Sequence, residues 1–298
     1  MVISNYFFSH IKAFIKKFFP NFLKRKIIFN YMRKQAVERC KVKTKLGFEV
    51  SVCDHCNLNC VCCEHFSPIA DEKYLNVEKY EKDCSRISEF TGGEINWLHL
   101  MGGEPLLHPR LNDIMKISRK YFSKGYIELV SNGILLLKQD ELFWNICRNN
   151  NIVVAVTQYP IKLDLKSIEQ KAKETGVNFR YYFIGHKTMH KKPLDINGKQ
   201  NIGENLKLCH MFNTCVQLID GKLYTCIEMA YINYFNKYFN KNLIVEENDI
   251  IDIYKIKTKE EMFEKLAKPV SFCKYCNIIE TNFGIKWKVS KKEISEWT

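Results

Sequence analysis

From about residue 46 onward, short runs rich in β-branched and aromatic residues alternate with longer amphipathic stretches. Residues 47–53, 95–101, 126–130, 152–157 and 178–184 read as strands. Residues 76–90, 111–122, 139–149 and 165–175 read as helices between them. Short strands separated by helices predict βαβ units, a parallel sheet and right-handed crossovers. Residues 186–205 are polar and read as a loop. The pattern then changes. Residues 215–219 and 222–226 flank Asp220-Gly221 and predict a β-hairpin on a tight turn. A helix at 259–266 precedes Cys273 and Cys276. The expected architecture is α/β. It has an N-terminal extension over 1–45, a parallel body over 46–204 and a small hairpin-and-helix domain over 205–298.

The extension has its own pattern. Phe7, Ile11, Phe14, Ile15, Phe18 and Phe22 recur at spacings of three and four and form one helical face, with Ser9, Lys12, Lys16 and Lys17 away from it. Pro20 ends or kinks this helix, and a second basic stretch runs from 24 to 34. Such a face suits an anionic membrane surface, giving peripheral contact through residues 1–28. It equally suits packing on the protein's own core. No apolar run reaches ~18 residues and no secretory pattern is present, so a cytoplasmic protein is expected.

Charge sharpens this division. The formal net charge is +13 over 298 residues. Residues 1–45 hold twelve Lys/Arg and one acid, Glu38, and so carry +11 of it. A nearly neutral body lacks the basic surface of a general nucleic-acid binder, and no nucleic-acid partner is expected.

The chain also has 13 cysteines. With an odd count and no secretory pattern, clustering points to metal rather than disulfides. The first cluster reads Cys53-Asp-His-Cys56-Asn-Leu-Asn-Cys60-Val-Cys62-Cys63. It follows the first expected strand, at the edge where parallel α/β proteins hold their chemistry. The pairs Cys53/Cys56 and Cys60/Cys63 suit zinc, which would make the chain a zinc-binding interaction protein. The C-x3-C-x2-C spacing of Cys56, Cys60 and Cys63 suits three corners of an iron–sulfur cubane. Spacing leaves both readings standing.

Context separates them. The segment Cys56-Asn-Leu-Asn-Cys60-Val-Cys62-Cys63 resembles the signature loop of radical S-adenosylmethionine (SAM) enzymes. Met101-Gly102-Gly103-Glu104-Pro105, after the second strand, is similar to that superfamily's Gly-Gly-Glu-Pro motif. Ser131-Asn132-Gly133 follows the third strand, where the family often has a polar triplet. The resemblance covers about residues 47–185. It implies a partial (β/α)6 TIM-like barrel and a [4Fe–4S] cluster on Cys56, Cys60 and Cys63, with SAM chelated at the open iron. Glu104 and the backbone of Gly102 and Gly103 would hold the SAM amino group. Ser131 and Asn132 would lie near its ribose and carboxylate. In this family an electron, here from a donor such as flavodoxin or ferredoxin, cleaves SAM to a 5′-deoxyadenosyl radical that takes a substrate hydrogen. The family usually has an aromatic residue before the third cysteine. Here it is Cys62, and His65-Phe66-Ser67-Pro68 would supply the aromatic wall instead. Cys53 reads as an ordinary strand residue.

Gly221-x4-Cys226, with Cys209 upstream and Cys273-x2-Cys276 downstream, resembles the twitch appendage of some radical SAM enzymes, a shortened SPASM extension. The resemblance implies an auxiliary [4Fe–4S] cluster on Cys209, Cys226, Cys273 and Cys276. A zinc ribbon is the alternative. Cys215 is the extra thiol. It replaces Cys209 as ligand, donates a hydrogen atom to a substrate radical as a catalytic residue, or is a buried inert cysteine. Cys40, Cys84 and Cys147 read as structural.

An auxiliary cluster implies oxidation of an alcohol to a ketone. A thiol donor implies epimerisation, and dehydratases belong to the same group. The extension is short for a leader-binding module. A small polar substrate (a sugar, nucleotide sugar or aminocyclitol) is therefore favoured over the peptide of a ribosomal-peptide maturase.

Overall fold

The computed structural model describes Asn30, residues 41–185 and residues 187–298. The expected N-terminal amphipathic helix, its membrane contact and Cys40 lie outside the described residues. Among the described residues no helix is long and apolar enough to cross a membrane.

The strands β1 (Leu46–Cys53), β2 (Ile95–Gly102), β3 (Tyr126–Ser131), β4 (Ile152–Thr157) and β5 (Phe179–Phe183) lie side by side in parallel. Helices α1 (Val77–Thr91), α2 (Leu111–Tyr121), α3 (Glu141–Asn149) and α4 (Leu165–Thr175) connect them. Asn76, Asp140 and Asp164 cap α1, α3 and α4 by accepting from backbone N–H groups of the first turn. Side chains alternate across each strand. Phe48, Val50, Leu98, Leu100 and Leu129 face the helices and form the main core with Ile87, Ile114 and Trp144. The same alternation sends Glu49, Ser51, His99 and Glu128 to the concave face. Register sets Glu49 opposite His99, and His99 opposite Glu128.

The stretch 186–205, expected as loop, contains β6 (Thr188–Lys191) and the start of α5 (Ile202–Leu208). Polar composition hid both. The sixth parallel strand, β7 (Gln217–Ile219), does not follow β5. It joins the other edge, pairing Gln217 with Glu49 of β1. Antiparallel β8 (Lys222–Tyr224) and β9 (Ile251–Asp252) complete the eight-stranded sheet. The expected hairpin is thus β7–β8, and it extends the barrel sheet itself.

Helix α6 (Ile227–Phe239) went unexpected, because apolar residues lie nearly all round it and blur its period. With α5 it builds a second core around Phe66, Phe212, Phe235, Phe272 and Trp297. Helix α7 (Lys259–Leu266) packs on the main core through Met262, Phe263 and Leu266. Strand β10 (Asn282–Lys286) pairs antiparallel with β6.

Candidate active site

Strand β1 ends at Cys53, and the cysteine loop springs from that edge. The segment after β2 clamps it. The N–H of Gly103 donates to the Cys53 carbonyl (2.6 Å), and that of Glu104 to the His55 carbonyl (3.1 Å). A Cβ at Gly103 would stand 2.0 Å from the His55 oxygen. Gly102 has φ +122°, and a Cβ there would meet Ser51 Oγ at 2.2 Å. Only glycine permits this approach. Cys53 turns its sulfur to His55 Nδ1 (3.1 Å).

Glu104 is fully buried. Its carboxylate accepts from Ser131 Oγ (2.7 Å), Asn132 N (2.9 Å) and Leu106 N (3.1 Å). Burial pushes its pKa up to about 7, against those hydrogen bonds. A carboxylate offers about four acceptor positions, so these three bonds leave one open. In this arrangement Glu104 welds the second motif to the third. Asn132 Nδ2 reaches on to Asn57 Oδ1 (2.8 Å) and Cys56 Sγ (3.8 Å). The three sequence motifs thereby form one hydrogen-bonded unit.

Burial pushes the Cys56 and Cys60 thiols up to about 12, and raises Cys63 as well. As thiolates they need a compensating positive charge, which bound metal supplies. Among the described residues no three Cys, His, Asp or Glu side chains converge as a site for one metal ion. Zinc wants four donors about 2.0–2.3 Å from a single point. A cubane spreads its thiolates over separate irons. Three thiols on one loop suit three separate irons of such a cubane.

Four cysteines of the second set, Cys209, Cys226, Cys273 and Cys276, line one cavity together with Lys192, Phe212 and Phe272. Asn205 Nδ2 ties the Cys273 carbonyl (2.9 Å) to that of Cys276. Cys215 is not in this lining. Its sulfur lies 3.7 Å from Met211 Sδ and faces Glu49 and Glu64. Two charged pairs lie nearby, with Lys192 lining the same cavity. Glu64 pairs with His190 Nε2 (2.8 Å), and Lys192 with Glu228, both of the latter almost wholly buried.

The expected aromatic wall is corrected by the structure. Phe66 is 1% exposed and packs on Phe235 and Trp297 in the second core. Other aromatics reach the loop. Trp287 Nε1 donates to Cys60 Sγ (3.1 Å), the Tyr159 hydroxyl lies beside the same sulfur, and Trp297 Nε1 donates to the Cys63 carbonyl (2.9 Å). Backbone bonds between Val61 and Lys288, and between Ser290 and Asn59, lay the C-terminal segment along the loop. No sequence signal marks these residues, because more than two hundred positions separate the tail from the cysteines.

No family model matches the chain. A GTP 3′,8-cyclase of Nautilia profundicola is 31% identical over 97 residues, which is 32% of this chain and 30% of the cyclase. One from Clostridium botulinum (strain Okra) is 31% identical over 99 residues, 31% of each. The chain thus spans less than a third of the curated relatives it matches. Among solved structures, BtrN in complex with AdoMet and 2-DOIA superposes with a TM-score of 0.52 at 18% identity, over 80% of this chain and 94% of that one. That likeness is one of fold.

Proposed function

We propose that this chain, by its fold and its cysteine loop a member of the radical SAM superfamily, takes a hydrogen atom from a small polar substrate and oxidises or epimerises it. One observation carries the reading: Cys56, Cys60 and Cys63 stand on a loop locked to Gly102–Glu104 and, through Asn132, to Ser131–Gly133. When bound, a [4Fe–4S] cluster on these thiols would supply the electron that cleaves SAM to a 5′-deoxyadenosyl radical. The chain's own residues hold the geometry. Gly102 and Gly103 bring backbone against the loop, Glu104 fixes the third motif, and Ser131 and Asn132 would meet the SAM ribose and carboxylate.

The second set supports an auxiliary cluster on Cys209, Cys226, Cys273 and Cys276, which share one cavity. Such a cluster would accept the electron left when an alcohol radical becomes a ketone. Cys215, apart from that cavity and facing the concave side, suits the hydrogen donor of an epimerase better than a fifth ligand. BtrN, the solved neighbour, binds 2-DOIA alongside AdoMet, in keeping with a sugar- or cyclitol-like substrate. The cyclase similarity favours a second reading, a nucleoside triphosphate substrate.

Anaerobic purification tests the proposal. We expect brown protein with about eight irons per chain, four for each cluster. We also expect 5′-deoxyadenosine from SAM, lost on C56A, C60A or C63A. Colourless protein with bound zinc and no SAM cleavage overturns it. In C215A, continued epimerisation removes the donor role.

A further inference from the structure

We propose that the concave face around Glu49 binds the protonated amine of a polyhydroxylated substrate that carries no phosphate. This rests on the reading above and narrows its substrate. Glu49 sits mid-strand in β1 and is 5% exposed. The neighbouring carboxylates each have a cation. Glu128 takes Arg180 Nη2 (2.6 Å), Glu64 takes His190, and Glu228 takes Lys192. Among the described residues Glu49 has only the Gln217 amide and an imidazole shared with another acid. His99 stands 3.7 Å from Glu49 and 3.5 Å from Glu128. A buried carboxylate is costly without a full partner.

A second, independent observation lies beside it. Among the described residues His65 Nε2 and Gln217 Oε1 are buried with no hydrogen-bond partner. His65 is 8% exposed and Gln217 not at all. The Gln217 amide nitrogen donates to Glu49, the Glu49 charge acts on His65, and the His65 ring packs 5.4 Å from that of Tyr231. Folded proteins seldom leave such atoms unsatisfied, so the group is completed by a polar molecule. His65 follows Cys63 in the first loop, Tyr231 follows Cys226 on α6, and Cys215 precedes Gln217 by two residues. The group therefore stands where the first cysteine loop meets α6, which begins next to Cys226.

Its chemistry selects the ligand. A carboxylate, an amide oxygen and an imidazole nitrogen are an acceptor-weighted set. They match a molecule rich in N–H and O–H donors, above all an ammonium with three. A phosphate brings negative charge and acceptors toward Glu49, Glu64 and Asp54, whose charges all act on His65. The geometry thus favours an aminated sugar or cyclitol over a nucleotide sugar or a nucleoside triphosphate.

The test is calorimetric titration of the anaerobically reconstituted full chain with SAM present. The probes are glucosamine, 2-deoxystreptamine and an inosamine, their N-acetyl forms, UDP-glucose and GTP. At least one free amine should bind about tenfold or more tightly than its N-acetyl form and than either nucleotide. In folded Glu49→Gln that preference should fall by about tenfold. The proposal is overturned if no free amine binds, if an N-acetyl form or nucleotide binds equally well, or if folded Glu49→Gln keeps the preference. If Glu49→Gln does not fold, the wild-type series decides alone. Formation of 5′-deoxyadenosine by the same wild-type preparation separates the two failures. With it, only this inference falls; without it, the radical SAM reading falls too.

Discussion

Gly103→Ala adds one methyl group to the clamp on the cysteine loop. The new Cβ would lie 2.0 Å from the His55 oxygen, 2.4 Å from its carbon and 2.9 Å from the Asp54 oxygen. All three are backbone atoms, so no side chain can swing away. An ordinary carbon–oxygen contact is about 3.3 Å or more. The loop and the β2 extension must therefore part by about 1 Å. Overpacking of this kind costs about 1–3 kcal/mol. The separation also breaks the bonds from Gly103 N to Cys53 O and from Glu104 N to His55 O, each worth about 0.5–1.5 kcal/mol. The total is about 2–6 kcal/mol, a fall in melting temperature on the order of 10 °C for a chain of this size. Gly284→Ala is the control. Its Cβ meets nothing nearer than Asn282 Oδ1 at 3.6 Å, and it should change stability by less than about 0.5 kcal/mol. Thermal unfolding of the metal-free chain measures both, and iron content after reconstitution measures the loop. If Gly103→Ala melts with the wild type and binds as much iron, the clamp is not what holds the cysteines.

Lys192→Met strands Glu228 in the interior and should cost about 3–5 kcal/mol in urea unfolding. The double variant with Glu228→Leu should recover most of that, and a single-variant loss under about 1 kcal/mol refutes the pairing. Burial raises the Glu104 pKa from 4.5 to about 7. A carboxyl raised on folding stabilises below its unfolded pKa and loses that contribution as pH climbs through the folded one. Metal-free wild type should therefore lose up to about 3 kcal/mol between pH 4.5 and 7 relative to Glu104→Gln, and parallel pH profiles refute the assignment. Trp287→Phe removes the N–H that points at Cys60 Sγ. That dipole favours the more negative, reduced state, so the cluster midpoint should move to lower potential. Potentiometric titration followed by electron paramagnetic resonance checks this, and an unmoved midpoint in folded protein counts against it.

The parallel body was legible because its strands and helices differ in period. β1 to β5 and α1 to α4 stand within a few residues of expectation, because each strand has one face on the helices and each helix one stripe on the sheet. Where the pattern depended on tertiary partners it failed. β6 is four polar-flanked residues that pair with β10, nearly a hundred positions later. Helix α6 carries apolar residues on most of its sides, so its hydrophobicity has little period to detect. Nothing local says that β7 returns to the β1 edge, since that placement is settled by Glu49 and Gln217 meeting across the sheet.

The site shows the same division more sharply. Cysteines, paired glycines and a buried glutamate declare themselves by residue type and spacing, because their chemistry is local to one loop. Trp287 and Trp297 carry no such mark, and they matter only through a tail that lies along the loop. Glu49 is the instructive case. In β1 it occupies a polar position of an alternating strand, and in an open antiparallel sheet that position faces water. Here the sheet curves, α6 and the first loop bring Tyr231 and His65 toward the same face, and the polar side becomes an interior. Glu49, His99 and Glu128 are polar at matched register on three successive strands, which is already more than one solvent-facing side chain requires. A row of largely buried polar residues across adjacent parallel strands therefore marks an interior polar face, in which Arg180 answers Glu128 while Glu49 has no cation of its own among the described residues.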